Sequence, residues 1–529
     1  MLFLLYFLML AILVPSGAVH AYRHHTSKIR YHEYSSAVFD QARQEGRPVF
    51  MNISAVWCYW CKYFDEHTLE TEEVASYLKR HYLSIFVDSD ARMDLTRKYA
   101  RGWPMTVLFD PEGRVRLAFP GALRKNDFMD LLRRVEGEVR SGKEVAESSS
   151  PKSSSAPPSQ VLGTDHYRRL VEGMVRYFDE QVDPLHGGFG QERKFPHGRF
   201  LAFLLELEEV TRDRGRSALL EKTLAAIQRG IFDPLEGGFY RYAERRDWTE
   251  PHTEKMLYVN AALATVFQKA SQVFNRSSYA RIDEATTAYL LRTLYDPKSG
   301  GFYGSQSAGP NYYRLSPADR NAAQKPLVNR DKLTAWNAEA ILALFRAVQS
   351  KKRRDLNEAA LHSLDFMQKH LLTDRGVYHI YRGHTGKGFL LGQLEANAWA
   401  SLVFLEGYRQ SKRPQYMQAA EKILSYLQAE LYDQKRGVFV EQKNLDVRQV
   451  PAGALEIPLD ANGLIAEAYL LAFSLSGRRA YRAMGQTVLK ALSGEIALLL
   501  SEAGDNVSPR SVVDAVFYLK AYRTMLGRS

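Results

Sequence analysis

Three segments of the chain repeat one pattern: DPLHGGFG from Asp183, DPLEGGFY from Asp233 and DPKSGGFY from Asp296. Weaker echoes are TDRGVYH from Thr373 and DQKRGVFV from Asp433. Proline biases the aspartate before it away from the α region and stops a helix there. The glycines reach positive φ in a tight turn, and the aromatic packs the turn back onto the body. Each such turn follows one amphipathic helical segment and precedes another. Helices before the turns are expected to begin near residues 165, 216, 277, 353 and 413. Those after them are expected near 198, 252, 333, 393 and 461, with a last pair near 478 and 508 joined through SEAGDNVS. The spacing gives twelve helices in six hairpins, a repeat of roughly sixty residues. Each hairpin has one long and one short connection, so the long ones emerge on one face. Six hairpins closing on themselves make residues 165–529 an all-α (α/α)6 toroid. An open solenoid is the alternative.

The segment 31–140 reads differently. YSSAVFDQARQEG is a helix closed by Gly46, RPVFMNI a buried strand, and Cys58 to about Arg80 a helix. LSIFVDSD is a strand, RMDLTRKYA a helix, MTVLF and RVRLAF a hairpin, and RKNDFMDLLRRVEGEV a closing amphipathic helix. Strands alternating with helices over this length give an α/β domain around a central sheet. Between the two domains, residues 141–164 are rich in Ser, Pro and Lys, cannot bury a core and read as a flexible linker. Residues 2–14 form an apolar run of signal-peptide length, and Val19-His20-Ala21 fits a cleavage site, so 1–21 reads as a signal peptide. The order of charges around the run, with Arg23, Lys28 and Arg30 after it and none before, also suits an uncleaved anchor. Either way the chain is expected to be exported, periplasmic or membrane-associated facing the periplasm. No other segment reads as long and apolar enough to span. The net charge of +11 comes from 71 basic residues scattered among 60 acidic ones, which is a solvated surface and no nucleic-acid partner.

An exported chain with only two cysteines has none to spare for structural disulfides, and both sit in SAVWCYWCKYF, residues 54–64. Cys58-x-x-Cys61 at a helix start favours a thiolate, because the helix N-terminus carries free N–H groups and partial positive charge. Cys58 is expected to be the exposed attacking thiol and Cys61 the buried resolving one. A disulfide kept only for stability is the bland reading, but so short a loop stabilises little. No second cysteine pair is present and His67 is not at ligand spacing, so no metal is expected, and no cofactor is called for. Over residues 35–140 the arrangement resembles thioredoxin. That resemblance implies roles for Trp57 before the first cysteine and for Pro104 as a cis-proline facing the pair. It implies a protein thiol or disulfide client, with Trp60 beside the pair, and leaves the redox partner unknown. Two departures stand out: Tyr59-Trp60 lies between the cysteines without proline or histidine, and Asn52 stands where thioredoxins usually carry a buried acid.

In the toroid the long loops lead into inner helices, so helix N-termini converge on one mouth, which suits anionic or hydroxyl-rich ligands. Polar candidates there are Lys194 and His197, then Arg241, Tyr242, Trp248, His252, Glu254, Lys255, Tyr258 and Asn260. Further along are Asp331, Lys332, Trp336 and Asn337, then Gln393, Glu395 and Asn397, then Asp460 and Asn462. Carboxylates among aromatics suit a sugar: rings stack and acids move protons. If the helix starts near His252, Glu254 and Tyr258 share a face, and Glu254 with Asp331 could divide acid and base roles. The competing reading is that Asp331 and Asp460 are N-caps and Glu254 a helix-dipole partner. Together KFPH, GGFYRY, PHTEKMLYVNA and DKLTAWN, behind the thioredoxin-like domain, resemble the thioredoxin–six-hairpin fusion family of unknown function, of the spermatogenesis-associated thioredoxin-like type. The helical half is similar to N-acylglucosamine 2-epimerases and six-hairpin glycosidases, which implies a fold and no activity. Three functions follow as expectations: a thiol–disulfide oxidoreductase with a client- or sugar-binding toroid, a carbohydrate-active toroid with an accessory thioredoxin domain, or a non-catalytic chaperone-like module.

Overall fold

The computed structural model describes residues 27–142, 159–351, 353–441, 457–501 and 509–527. The expected signal segment 1–21 and most of the expected linker lie outside the described residues. The chain forms two units.

In the first unit, β1 (Tyr31–His32), β2 (Val49–Ser54), β3 (Leu83–Asp88), β4 (Met105–Phe109) and β5 (Val115–Pro120) form one sheet in the order β1-β3-β2-β4-β5. β3 runs parallel to β1 and β2, whereas β4 and β5 are antiparallel, as the hairpin pattern requires. β2 and β3 are buried along their whole length, so their apolar runs do not alternate. One face packs Val49, Met51, Ile53, Ile85 and Val107 into a core with Val38 and Ala42 of α1 (Ser36–Glu45). The other packs Phe50 and Leu108 against Phe64, Leu78 and Phe128. The expected helix from Cys58 to Arg80 is broken: α2 (Tyr59–Phe64) passes through a wider turn at 65–69 before α3 (Glu72–His81). α4 (Met93–Tyr99) and α5 (Lys125–Arg140) complete the unit.

The second unit holds twelve long helices in six hairpins among the described residues. The outer members are α6 (Thr164–Gln181), α8 (Arg214–Ile231), α10 (Ser277–Tyr289), α14 (Arg354–His370), α16 (Pro414–Tyr426) and α18 (Arg479–Ser501). The inner members are α7 (Gly198–Thr211), α9 (Leu257–Val273), α13 (Thr334–Lys351), α15 (Leu394–Ser411), α17 (Leu459–Ser476) and α19 (Pro509–Met525). Two short helices, α11 (Pro310–Tyr313) and α12 (Pro317–Ala322), lie in the connection before α13. Each inner helix touches the next, and α19 touches α7, so the ring closes; α18 also meets α6 on the outside. The solenoid alternative is thereby set aside. The start of the unit is tied down, since Gln160 N–H donates to Ser493 Oγ and Gly163 N–H to the Tyr522 hydroxyl. α18 is by composition long and apolar enough to cross a bilayer, contrary to the sequence reading. It packs against α17, α19 and α6 within the outer ring.

The repeated turns share one internal architecture. Asp183, Asp233 and Asp296 each accept backbone N–H bonds from their own turn and a buried lysine: Lys194 at 2.8 Å, Lys255 at 2.7 Å and Lys332 at 2.9 Å. The same three lysines donate to the carbonyls of Gly190, Gly237 and Gly300. Asn260, Asn337 and Asn462, in the first turns of α9, α13 and α17, bond both backbone groups of Phe239, Phe302 and Phe439. The aromatics of the turns at Asp233, Asp296 and Asp433 are thus stapled to the next inner helix. At Gly237, φ is +74°, and an added Cβ falls 2.4 Å from the Ala285 carbonyl oxygen in α10. Gly237→Ala is therefore expected to cost about 2 kcal/mol or more, read as a lower melting temperature of the full chain. Unchanged melting contradicts this account of the turn.

Candidate functional site

The cysteines lie where β2 hands the chain to α2. Cys58 caps α2, and its Sγ accepts the Cys61 backbone N–H at 3.3 Å. Both cysteines are free thiols. Contrary to the expectation of an exposed attacking thiol, Cys58 is only 2% exposed, hardly more than Cys61 at 0%. The cause is aromatic: Trp57, Trp60 and Trp103 pack around the pair. Trp57 is fixed by its Nε1–H bond to Asp90 at 3.0 Å, a partner the sequence reading missed. The Trp103–Pro104 bond is cis, and Pro104 leads into β4. Burial pushes the Cys61 thiol well up, with Cys58 adding to the shift and the Ala55 N–H and Ser54 opposing it. On β2, Asn52 is completely buried and neither of its amide atoms has a hydrogen-bond partner among the described residues, nor has the hydroxyl of Thr106, paired opposite it on β4.

In the toroid the structure sorts the sequence candidates into two groups. Lys194, Lys255, Lys332, Asn260 and Asn337 are inside the turns just described, with Asn397 and Asn462 in equivalent positions. Their polar atoms are spent on the fold. Trp248 is 1% exposed with its Nε1–H on the Gly187 carbonyl. α9 starts at Leu257, not near His252, so Glu254 precedes the helix and shares no helical face with Tyr258. Glu254 is paired with Arg241 at 3.0 Å, while Asp331 bonds Arg382 at 2.9 Å and the Gly383 N–H. Each acid has its own arginine, and Asp331 caps no helix. Burial pushes the Glu254 carboxyl up, and Arg241 only partly opposes it. Asp460 lies in the first turn of α17, whose N-cap is Pro458.

The second group surrounds the mouth. Phe195, 41% exposed, stacks on Tyr242 at 4.7 Å, and Tyr242 stacks on His252 at 4.9 Å. His197, at the cap of α7, meets Phe195 and Phe189 edge-on. Tyr258 and Trp336, from the first turns of α9 and α13, lie 5.1 Å apart. Across the ring, Arg199 at the second position of α7 makes a two-pronged bond to Glu339 of α13, both at 2.9 Å. Its guanidinium lies over Trp399 at 5.1 Å and Phe517 at 5.6 Å. Burial alone pulls the Arg199 guanidinium down, but Glu339, Glu395 and Asp460 outweigh it and hold it fully charged. Arg199, Glu339, Trp399 and Phe517 were missed in the sequence. The signal was there: each charge interrupts an otherwise apolar inner helix, in GRFLAFLL and NAEAILALF.

Burial pulls His197 from 6.5 to about 4, and burial with Arg241 and Arg193 pulls His252 to about 3. Both folded values lie below the unfolded one, so the unfolded chain binds protons first. The stability these rings contribute is present above pH 6.5 and is lost as pH falls toward 4 and then 3. Acidification from pH 7 to 5 is expected to lower stability by about 2 kcal/mol per ring. His252→Phe keeps the stack on Tyr242 and should flatten that slope in denaturant titrations. An unaltered slope contradicts the assignment.

Residues 13–154 match the model of a family described as Thioredox_DsbH, protein of unknown function, DUF255. Spermatogenesis-associated protein 20 of Homo sapiens is 27% identical over 351 residues, 59% of this chain and 43% of that protein. Its Rattus norvegicus counterpart is 26% identical over 371 residues, 63% of this chain and 44% of that protein. The chain thus spans under half the length of these curated relatives. Among solved structures, a D-mannose isomerase superposes with a TM-score of 0.53 at 13% identity, covering 69% of this chain and 98% of that one. The cellobiose 2-epimerase of Spirochaeta thermophila gives 0.52 at 13% identity, covering 69% and 97%. At such identity these neighbours speak for the fold alone. The resemblance read from the sequence holds at this level: the N-terminal domain matches the thioredoxin-like DUF255 model, and the helical unit has the toroidal fold of these isomerase and epimerase structures.

Proposed function

We propose that the chain is an exported thiol–disulfide oxidoreductase acting through Cys58 and Cys61 on a protein client, with the toroid holding that client or a sugar-like ligand. The observation that carries this reading is the Cys58 sulfur at the start of α2, accepting the Cys61 N–H. A thiolate there is stabilised by the helix end and by that hydrogen bond. In the reducing direction, Cys58 thiolate attacks one sulfur of the client disulfide and expels the other as a client thiolate. Cys61 then loses its proton and attacks Cys58, releasing the second client thiol and leaving a Cys58–Cys61 disulfide. The client gains two electrons and the chain loses two, to be restored by an external dithiol. The oxidising direction is the same sequence reversed. Three tryptophans around a buried pair favour a client segment that carries its own apolar side chains. Cys58→Ser is expected to abolish dithiol-dependent reduction of a model protein disulfide by the full chain. Activity that survives Cys58→Ser counts against the reading.

A second reading, carbohydrate chemistry in the toroid, is favoured by the Arg199–Glu339 pair, whose guanidinium lies over Trp399 and feels the charges of Glu395 and Asp460. Carboxylates and aromatic faces at the inner-helix N-termini are what a pyranose ring needs for stacking and proton transfer. Glu339→Gln keeps the shape. Loss of turnover on a sugar panel in that variant, with the cysteines intact, supports this second reading over the first.

A further inference from the structure

The short-connection end of the toroid has a second concavity, remote in the fold from the mouth residues. A cavity of about 420 Å³ opens between the C-terminal halves of the inner helices, and all six contribute to its wall. Every lining side chain is charged or a glutamine. No aromatic or aliphatic face is offered, which excludes a stacked sugar ring or an apolar ligand.

Five cations, Lys269, Arg346, Arg409, Lys520 and Arg523, face three carboxylates, Glu206, Glu406 and Glu467. Glu206 is shared by Lys269 at 3.2 Å, Lys520 at 3.3 Å and Arg523 at 2.9 Å. Glu406 takes Arg409 at 2.7 Å. Two groups are left over. Arg346 is exposed and makes no ion pair among the described residues, and Glu467 has no hydrogen-bond partner among them. Glu467 is nine residues before the end of α17, about 14 Å at the helical rise, so it sits deep in the cavity.

Helix C-termini attract cations, and that alone accounts for basic residues in a last turn. The effect fades within that turn. Arg346 and Lys520 lie five residues inside the ends of α13 and α19, beyond its reach. Three cations on one carboxylate is also more than pairing requires.

We propose that this cavity binds a small hydrophilic polyanion, carrying two or more phosphate or carboxylate groups, with Arg346 and Lys520 as its main cationic contacts and Glu467 hydrogen-bonding its far end. Burial raises the Glu467 carboxyl, opposed by Lys520 and Arg346 and reinforced by Glu406 and Glu206. The site is independent of what the cysteines do.

The test is calorimetric titration of the full chain with pyrophosphate and, separately, with citrate, at constant ionic strength in chloride. Saturable one-to-one binding of at least one probe is expected, weakened about tenfold or more in Arg346→Gln, the scale of one charge-assisted hydrogen bond. Arg346 holds no ion pair among the described residues, so this variant should melt like the parent. Glu467→Gln, which retains a donor, is expected to bind within about threefold of the parent. The preferred probe assigns phosphate or carboxylate as the recognised group. No saturable binding of either probe, or affinity unchanged in Arg346→Gln, overturns the proposal.

Discussion

Glu339→Ala should destabilise the helical unit by about 3 kcal/mol, at the lower end of what breaking a buried pair costs. The carboxylate is buried at 9% side-chain exposure and Arg199 is at 27%, so removing the acid leaves a guanidinium largely out of water against Trp399 and Phe517. Much of the loss is that stranded charge, not the bond itself. Arg199→Met with Glu339→Leu removes both charges and fills the space, and is expected to recover most of the loss. Denaturant titration of the parent and the two variants by far-ultraviolet circular dichroism reads the difference. If the single and double variants are equally stable, the pair does not bridge α7 and α13 as described.

Cys61→Ser should convert the chain into a trap. Cys58 can still open a client disulfide, but nothing resolves the mixed disulfide, so adducts accumulate that dithiothreitol releases. Cys58→Ser and the double variant should show none, because burial holds the Cys61 thiol high, whereas Cys58 caps the start of α2. Non-reducing electrophoresis with a model disulfide protein separates the cases. Adducts forming equally with Cys58→Ser would reverse the roles.

Much of the architecture was legible in the sequence, because it rests on local chemistry. Asp-Pro stops a helix, and two glycines at positive φ close the turn wherever they occur, so the repeats located nine of the ten flanking helices to within about two residues. What failed was local reading of polar residues in those same motifs. Lys194, Lys255 and Lys332 look like ligands in the sequence; only three dimensions place them on Asp183, Asp233 and Asp296. Glu254 was misread because α9 begins at Leu257, after a strand-like segment that no periodicity marks. Arg199 and Glu339 were overlooked because their meaning is an encounter across the ring, 140 residues apart. At the cysteines, position was readable but burial was not, since Trp103 arrives from the far side of the sheet-forming sequence.

The central claim is that Cys58 and Cys61 form one reversible dithiol–disulfide couple. The most direct measurement equilibrates the full chain in a series of glutathione buffers, quenches with acid, alkylates the free thiols and weighs the products. Both cysteines should pass together from doubly alkylated to unalkylated in a single two-electron transition, with little glutathione adduct. If both stay alkylatable at the oxidising end, or each carries its own glutathione, the pair is not a redox couple and the proposed activity is wrong.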